Sequence, residues 1–136
     1  MKQGNIDIIE EVNDEINSAL KDPRGLLIHQ RRLAFCLSIG AVALIEQYFE
    51  KKEVLKTGAR VNHEWLKKKK DNVKKLISNQ ITIPVGEIKN IDAFLDLAYE
   101  IEKERNEWAY GKKVLEETLK EKINLFLNFK KKIENE

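Results

Sequence analysis

The stretch AYEIEKERNEWAYGK, residues 98–112, is the part of the chain whose reading decides the rest. The apolar positions Phe94, Leu97, Ala98, Ile101 and Trp108 recur at helical spacing. Arg105 falls on the same stripe, one turn after Ile101. A guanidinium keeps its charge, so a buried one needs a carboxylate, phosphate or carbonyl partner. The residue is therefore either a structural arginine, paired in a bundle with Glu102 or another carboxylate or snorkelling to water, or a ligand-binding one. Gly111 either ends or interrupts the helix.

Working outward, the same periodicity returns across the chain. Ile6, Ile9, Val12, Ile16 and Leu20 predict an amphipathic helix over residues 5–20, closed by Asp22-Pro23. A long helix is expected over 26–56, with Leu33, Leu37, Ala41, Leu44, Tyr48 and Leu55 on one face. The small residues Gly40, Ala41 and Ala43 would admit a close neighbour, either a helix of the same chain or a second subunit. Asn62 is placed to cap a helix over 63–78. Ile81, Ile83 and Val85 alternate, but Pro84 and Gly86 favour a packed loop over a strand. A helix starting at Asn90 or Asp92 would carry Arg105. A last one, over 112–133, would turn Leu115, Leu119, Ile123, Phe126, Phe129 and Ile133 inward. The fold expected is all-α: one domain over 1–136, an antiparallel bundle of four main helices with a shorter first helix packed on it.

The 136 residues carry a formal net charge of only +2, and the total excludes no partner. The distribution is more telling. Residues 51–75 hold ten basic and three acidic groups, a balance of +7, whereas 92–107 stand at −4. Lys67, Lys68, Lys69 and Lys70, with Lys74 and Lys75, are either a solvated face or a phosphate-contacting patch. Regular aromatic interleaving, the mark of a stacking platform, is missing around them. Cys36, the single cysteine, reads as a core residue of a reducing compartment. With no secretory signal at the start, a cytoplasmic location is expected. The most apolar run, Leu33 to Ile45, has 13 residues, and no membrane span is expected from it.

The inventory for chemistry is short. His29, His63 and Cys36 match no closed metal-site spacing, and no cofactor is expected. Neither a glycine-rich phosphate loop nor a nucleophile elbow is present. His29 reads as a surface or capping residue. His63 follows the Asn62 cap and reads as a residue without a ligand role, the alternative being that it faces the basic run and touches one.

Glu104-Arg105-Asn106-Glu107-Trp108-Ala109-Tyr110-Gly111 resembles the signature segment of the HEPN family, small all-helical prokaryotic domains often paired with minimal nucleotidyltransferases. That family carries Arg-Asn, a few residues, then Ala-His-Gly late in a helix. Arg105, Asn106, Ala109 and Gly111 match, and Tyr110 stands where histidine is usual. The resemblance covers about residues 26–134. It implies a HEPN-like bundle, a homodimer, RNA as ligand and a nucleotidyltransferase as possible partner. Active members resemble metal-independent endoribonucleases in which the RNA 2′-hydroxyl attacks the adjacent phosphodiester. On this pattern Arg105 would stabilise phosphorane charge and Asn106 would orient the ring one turn on. Tyr110 would stand in for the proton-transferring histidine. Tyrosine, with a reference pKa of about 10, is the poorer base near neutral pH. The expectation is an RNA-binding or partner module with weak or absent cleavage. The alternatives are an active ribonuclease using Arg105 with Tyr110 or His63, and a purely structural helical module.

Overall fold

The computed structural model describes residues 2–136 and is an all-α bundle; among the described residues no strand forms beyond one isolated antiparallel bridge, Leu55 to Ile81. The helices are α1 (Gln3–Lys21), α2 (Gln30–Lys51), α3 (Lys70–Ser78), α4 (Ile91–Glu102), α5 (Arg105–Tyr110) and α6 (Glu116–Glu134). Turns of 3-10 helix at Leu26–His29, His63–Lys67 and Val85–Glu87 join them.

Helix α2 is the centre of the bundle and packs against α1, α4, α5 and α6. Leu33, Leu37, Ala41, Leu44 and Tyr48 are buried, as their spacing predicts. Helices α1 and α4 run antiparallel to α2, whereas α6 runs parallel, with Val114 before α6 at Gln30 and Glu134 at Lys51. Asn5, early in α1, donates to Glu46 and Glu50, late in α2, while Glu15 meets Arg32 near the start of α2. Likewise Ser38 meets Glu102 at the end of α4, and Tyr48 donates to the Lys89 carbonyl just before it. Gly40 is where α2 comes closest to α6: a Cβ there would lie 2.6 Å from Phe126 and 3.2 Å from Val12. The small residues thus seat helices of the same chain, and the face around Gly40 to Tyr48 is covered from within.

Helix α1 spans 19 residues, as many as α6, so it is a full member of the bundle rather than a short addition. Its inward face ends on Ala19, and Leu20 is exposed. The turn after it places Gly25 at φ 99°, in left-handed space where a side chain is strained.

Four expected helices are shorter than their periodicity suggests; the last begins at Glu116 rather than at 112, and Leu115, expected inward, is 73% exposed. Helix α2 stops at Lys51 because Glu53 takes a left-handed conformation (φ 59°). The Val54 N–H then returns to the Phe49 carbonyl and the Glu53 N–H to Glu50, a Schellman ending without its usual glycine. The expected helix over 63–78 is a 3-10 turn followed by α3; Asn62 does cap, accepting from the Glu64 N–H at 2.8 Å, but it caps the turn. The expected helix through Arg105 breaks at Lys103 and Glu104, again on a left-handed non-glycine residue (φ 64°). Buried Lys122 of α6 donates to the Glu100 carbonyl at 2.6 Å and so satisfies the broken end of α4.

The span Leu26–Lys51 is longer than its 13-residue apolar centre, and by length and composition it is sufficient to cross a bilayer. Its apolarity has another use here, since 67% of the window is buried against the rest of the bundle.

Candidate functional site

Helix α5 carries the Arg-Asn segment and is docked on the first turns of α2. Trp108 and Ala109 face the core. The Gln30 side chain donates to the Trp108 carbonyl (2.9 Å) and the Lys112 carbonyl (3.0 Å) and accepts from the Val114 N–H (2.9 Å). Arg31 Nε donates to the Ala109 carbonyl at 2.9 Å. The carbonyls left open at the end of this short helix are thereby satisfied by side chains of α2. Gly111 ends α5: its N–H returns to the Glu107 carbonyl at 2.7 Å, and a Cβ there would lie 2.2 Å from that oxygen.

Three residues singled out from the sequence, Arg105, Asn106 and Tyr110, meet around Phe35 of α2. The Arg105 guanidinium lies over the Phe35 ring, its carbon 4.8 Å from the centroid. Tyr110 approaches the same ring edge-on, with centroids 5.7 Å apart, and is 69% exposed. Asn106 does not orient Tyr110; its Oδ1 accepts from Arg105 Nη1 at 2.9 Å. Among the described residues Arg105 forms no ion pair. Its Nε is buried without an acceptor, and so is Trp108 Nε1.

The expected structural alternative, Arg105 paired with Glu102, is not what forms. Glu102 is wholly buried, and its two oxygens are occupied by Ser38 Oγ (2.6 Å) and His63 Nδ1 (3.1 Å). Buried Glu102 thus holds the His63 ring through Nδ1. Nε2 points toward Glu64, 3.8 Å away. Lys67 beside Glu64 holds its carboxyl below the usual range, with His63 and Arg105 adding to the effect. His63 also lines a groove of about 690 Å³ with Ile39, Val42 and Trp65. Phe35, Ile39 and Val42 form a stripe on α2 that the bundle leaves partly uncovered, and it joins the Arg105 and His63 ends.

The lysines do not gather at Arg105. Lys67, Lys70 and Lys74 pair with Glu64, Asp96 and Asp92. Lys68, Lys69 and Lys75 have no carboxylate partner among the described residues. Lys67 to Lys70 rim a separate cavity that Arg105 does not line.

His29 is not a surface residue. It is 4% exposed, with Nδ1 2.8 Å from Glu15 and Nε2 2.7 Å from Asp22, an internal brace between α1 and the turn that follows it. Cys36 is half-buried, and burial, with Glu15 and Glu11 nearby, pushes its thiol up, away from nucleophilic use. Among the described residues, no three His, Cys, Asp or Glu side chains are grouped to hold a metal ion.

Phe35 and Glu102 were the participants whose roles were hardest to find in the sequence. Phe35 reads as one more apolar residue of α2, and Glu102, expected as a partner for Arg105, gives no sign in the sequence of its partners Ser38 and His63. In comparisons with known proteins, no family model, curated protein or solved structure matches this chain.

Proposed function

We propose that this chain is a HEPN-like cytoplasmic module that binds RNA or another phosphate-bearing ligand at the Arg105 face and cleaves it weakly or not at all. The observation that carries the reading is the state of Arg105. Its guanidinium lies on Phe35, is steadied by Asn106, and has no carboxylate to neutralise it among the described residues. A fork of donors held in this way suits phosphate oxygens. Tyr110 supports the weak-cleavage part, because an exposed phenol beside the arginine can bond to a ligand but is a poor base at neutral pH.

A homodimer joined along the α2 stripe of Phe35, Ile39 and Val42 belongs to the proposal, as does a minimal nucleotidyltransferase as protein partner in a toxin–antitoxin setting. The alternative of a helical module with a merely structural arginine loses its simplest form, because Glu102 is occupied by other donors. The second reading, an active metal-independent ribonuclease, draws on a specific feature: buried Glu102 orients His63, and a carboxylate-held imidazole is a competent proton carrier.

One assay set separates them. Purified protein is incubated with labelled single-stranded RNA without metal, beside Arg105→Ala, Tyr110→His and His63→Gln, and its mass is measured by sedimentation equilibrium. Binding that drops at least tenfold in Arg105→Ala, with cleavage only in Tyr110→His, is the expected result. Wild-type cleavage abolished by His63→Gln would move the assignment to the enzyme. No binding of RNA or of inorganic phosphate across a salt series would refute the proposal, and a monomer at micromolar concentration would remove the dimer from it.

A further inference from the structure

The lysine-rimmed cavity between α3 and α4 has a composition that the Arg105 face lacks. It encloses about 360 Å³, within the range of roughly 300–1,000 Å³ common for small-molecule sites. Its floor is apolar: Leu66, Val73 and Leu95 are all buried and line it. Tyr99 of α4 lines it too and is 42% exposed. The rim is cationic. Lys70 is neutralised by Asp96 across the cavity at 2.9 Å, and Lys67 is drawn off to Glu64 at 3.2 Å. Lys68 and Lys69 remain, exposed and without a carboxylate partner among the described residues.

We infer that this cavity is a nucleotide subsite for single-stranded RNA, with one base stacked on Tyr99 and its flanking phosphates held by Lys68 and Lys69. The physical reason is the combination of surfaces. A base presents a flat apolar face joined to an anionic backbone, and the site offers an aromatic ring over an apolar floor beside two free ammonium groups. An acidic peptide would use the lysines but would gain little from the ring. An inorganic anion would have no use for the apolar floor. The ring is supplied by α4 and the lysines by the segment before α3, so the aromatic residue missing from the lysine run itself is contributed from elsewhere in the fold. The assignment extends the RNA-binding reading to a second place, but it does not depend on Arg105.

The test uses fluorescence anisotropy of the full chain with a labelled ten-nucleotide single-stranded RNA and with a ribose-phosphate strand of equal length lacking bases. Tyr99→Ala, Tyr99→Phe, Lys68→Gln/Lys69→Gln and Arg105→Ala are compared, with thermal melts to verify that each variant is folded. Tyr99→Ala should weaken RNA binding about tenfold and Tyr99→Phe should retain it, as expected for stacking. The strand without bases should bind wild type about as weakly as RNA binds Tyr99→Ala. The lysine double variant should reduce the salt dependence by about one to two phosphate contacts. Equal binding of the two strands, unchanged binding in Tyr99→Ala, displacement of RNA by polyglutamate at matched charge, or no RNA binding at all would each overturn the subsite. Loss in Tyr99→Ala with Arg105→Ala unaffected would uphold it while refuting the Arg105 reading; the reverse pattern would do the opposite.

Discussion

Arg105→Met separates an arginine kept for a ligand from one kept for the fold. In the structure the guanidinium gains a cation–π contact with Phe35, worth about 0.5–1 kcal/mol at a site open to water. It also makes one exposed hydrogen bond to Asn106, at the low end of the about 0.5–1.5 kcal/mol range. Against these stands the buried Nε, which has no acceptor, a deficit of about 1–3 kcal/mol. Methionine keeps most of the stem against the Phe35 ring and adds a sulfur–aromatic contact of about 0.3–1.5 kcal/mol. The losses come to about 1–1.5 kcal/mol and the gains to about 1.3–4.5 kcal/mol, so the variant should be at least as stable as wild type, by up to about 3 kcal/mol. A structural arginine in a buried ion pair would instead cost about 3–5 kcal/mol when removed. Urea unfolding followed by circular dichroism measures the difference, read at an unchanged slope so that both proteins share one unfolded reference. A loss above about 2 kcal/mol would refute the reasoning and make Arg105 part of the scaffold. Unchanged or raised stability joined to lost RNA binding is the pattern of a residue held for function at a small cost to the fold.

Two further outcomes test how the bundle is held. Gly40→Ala should destabilise by up to about 2 kcal/mol, because overpacking of about 1–3 kcal/mol against Phe126 offsets the roughly 1 kcal/mol helix-propensity gain; stabilisation in urea melts would show that α2 and α6 are less closely seated. Arg24, through its side chain and backbone N–H, and then His29 hold the Asp22 carboxyl well below its ordinary value of 3.8. The folded state favours the charged form, so the stabilisation is complete above the ordinary value and fades as pH falls below it. The gap in melting temperature between wild type and Asp22→Asn should therefore be wider at pH 7 than at pH 2.5, and a gap that stays constant would exclude this linkage.

Helical periodicity is a local property, and it placed the buried face of α2 from Leu33 to Tyr48 and the inward face of α6 from Leu119 to Ile133, but not Leu55 or Leu115, which lie outside those helices. Arg105 stood out for the same reason, as a cation set on an apolar stripe, whereas Asn106 and Tyr110 were singled out only by the resemblance of their segment to a family motif. The places where helices end early were not legible, because Glu53 and Glu104 are good helix formers that enter left-handed space only where packing elsewhere over-determines the backbone. Partners were less legible still. Glu102 reads as a partner for Arg105 until Ser38, 64 positions earlier, and His63, 39 positions earlier, arrive at its two oxygens. His29 looks exposed until Glu15 and Asp22 enclose it. Tyr99 joins the lysines only because α4 packs beside them. A side chain's burial and its hydrogen-bond partners depend on chain segments distant in sequence, and residue type and spacing carry no record of which segments those are.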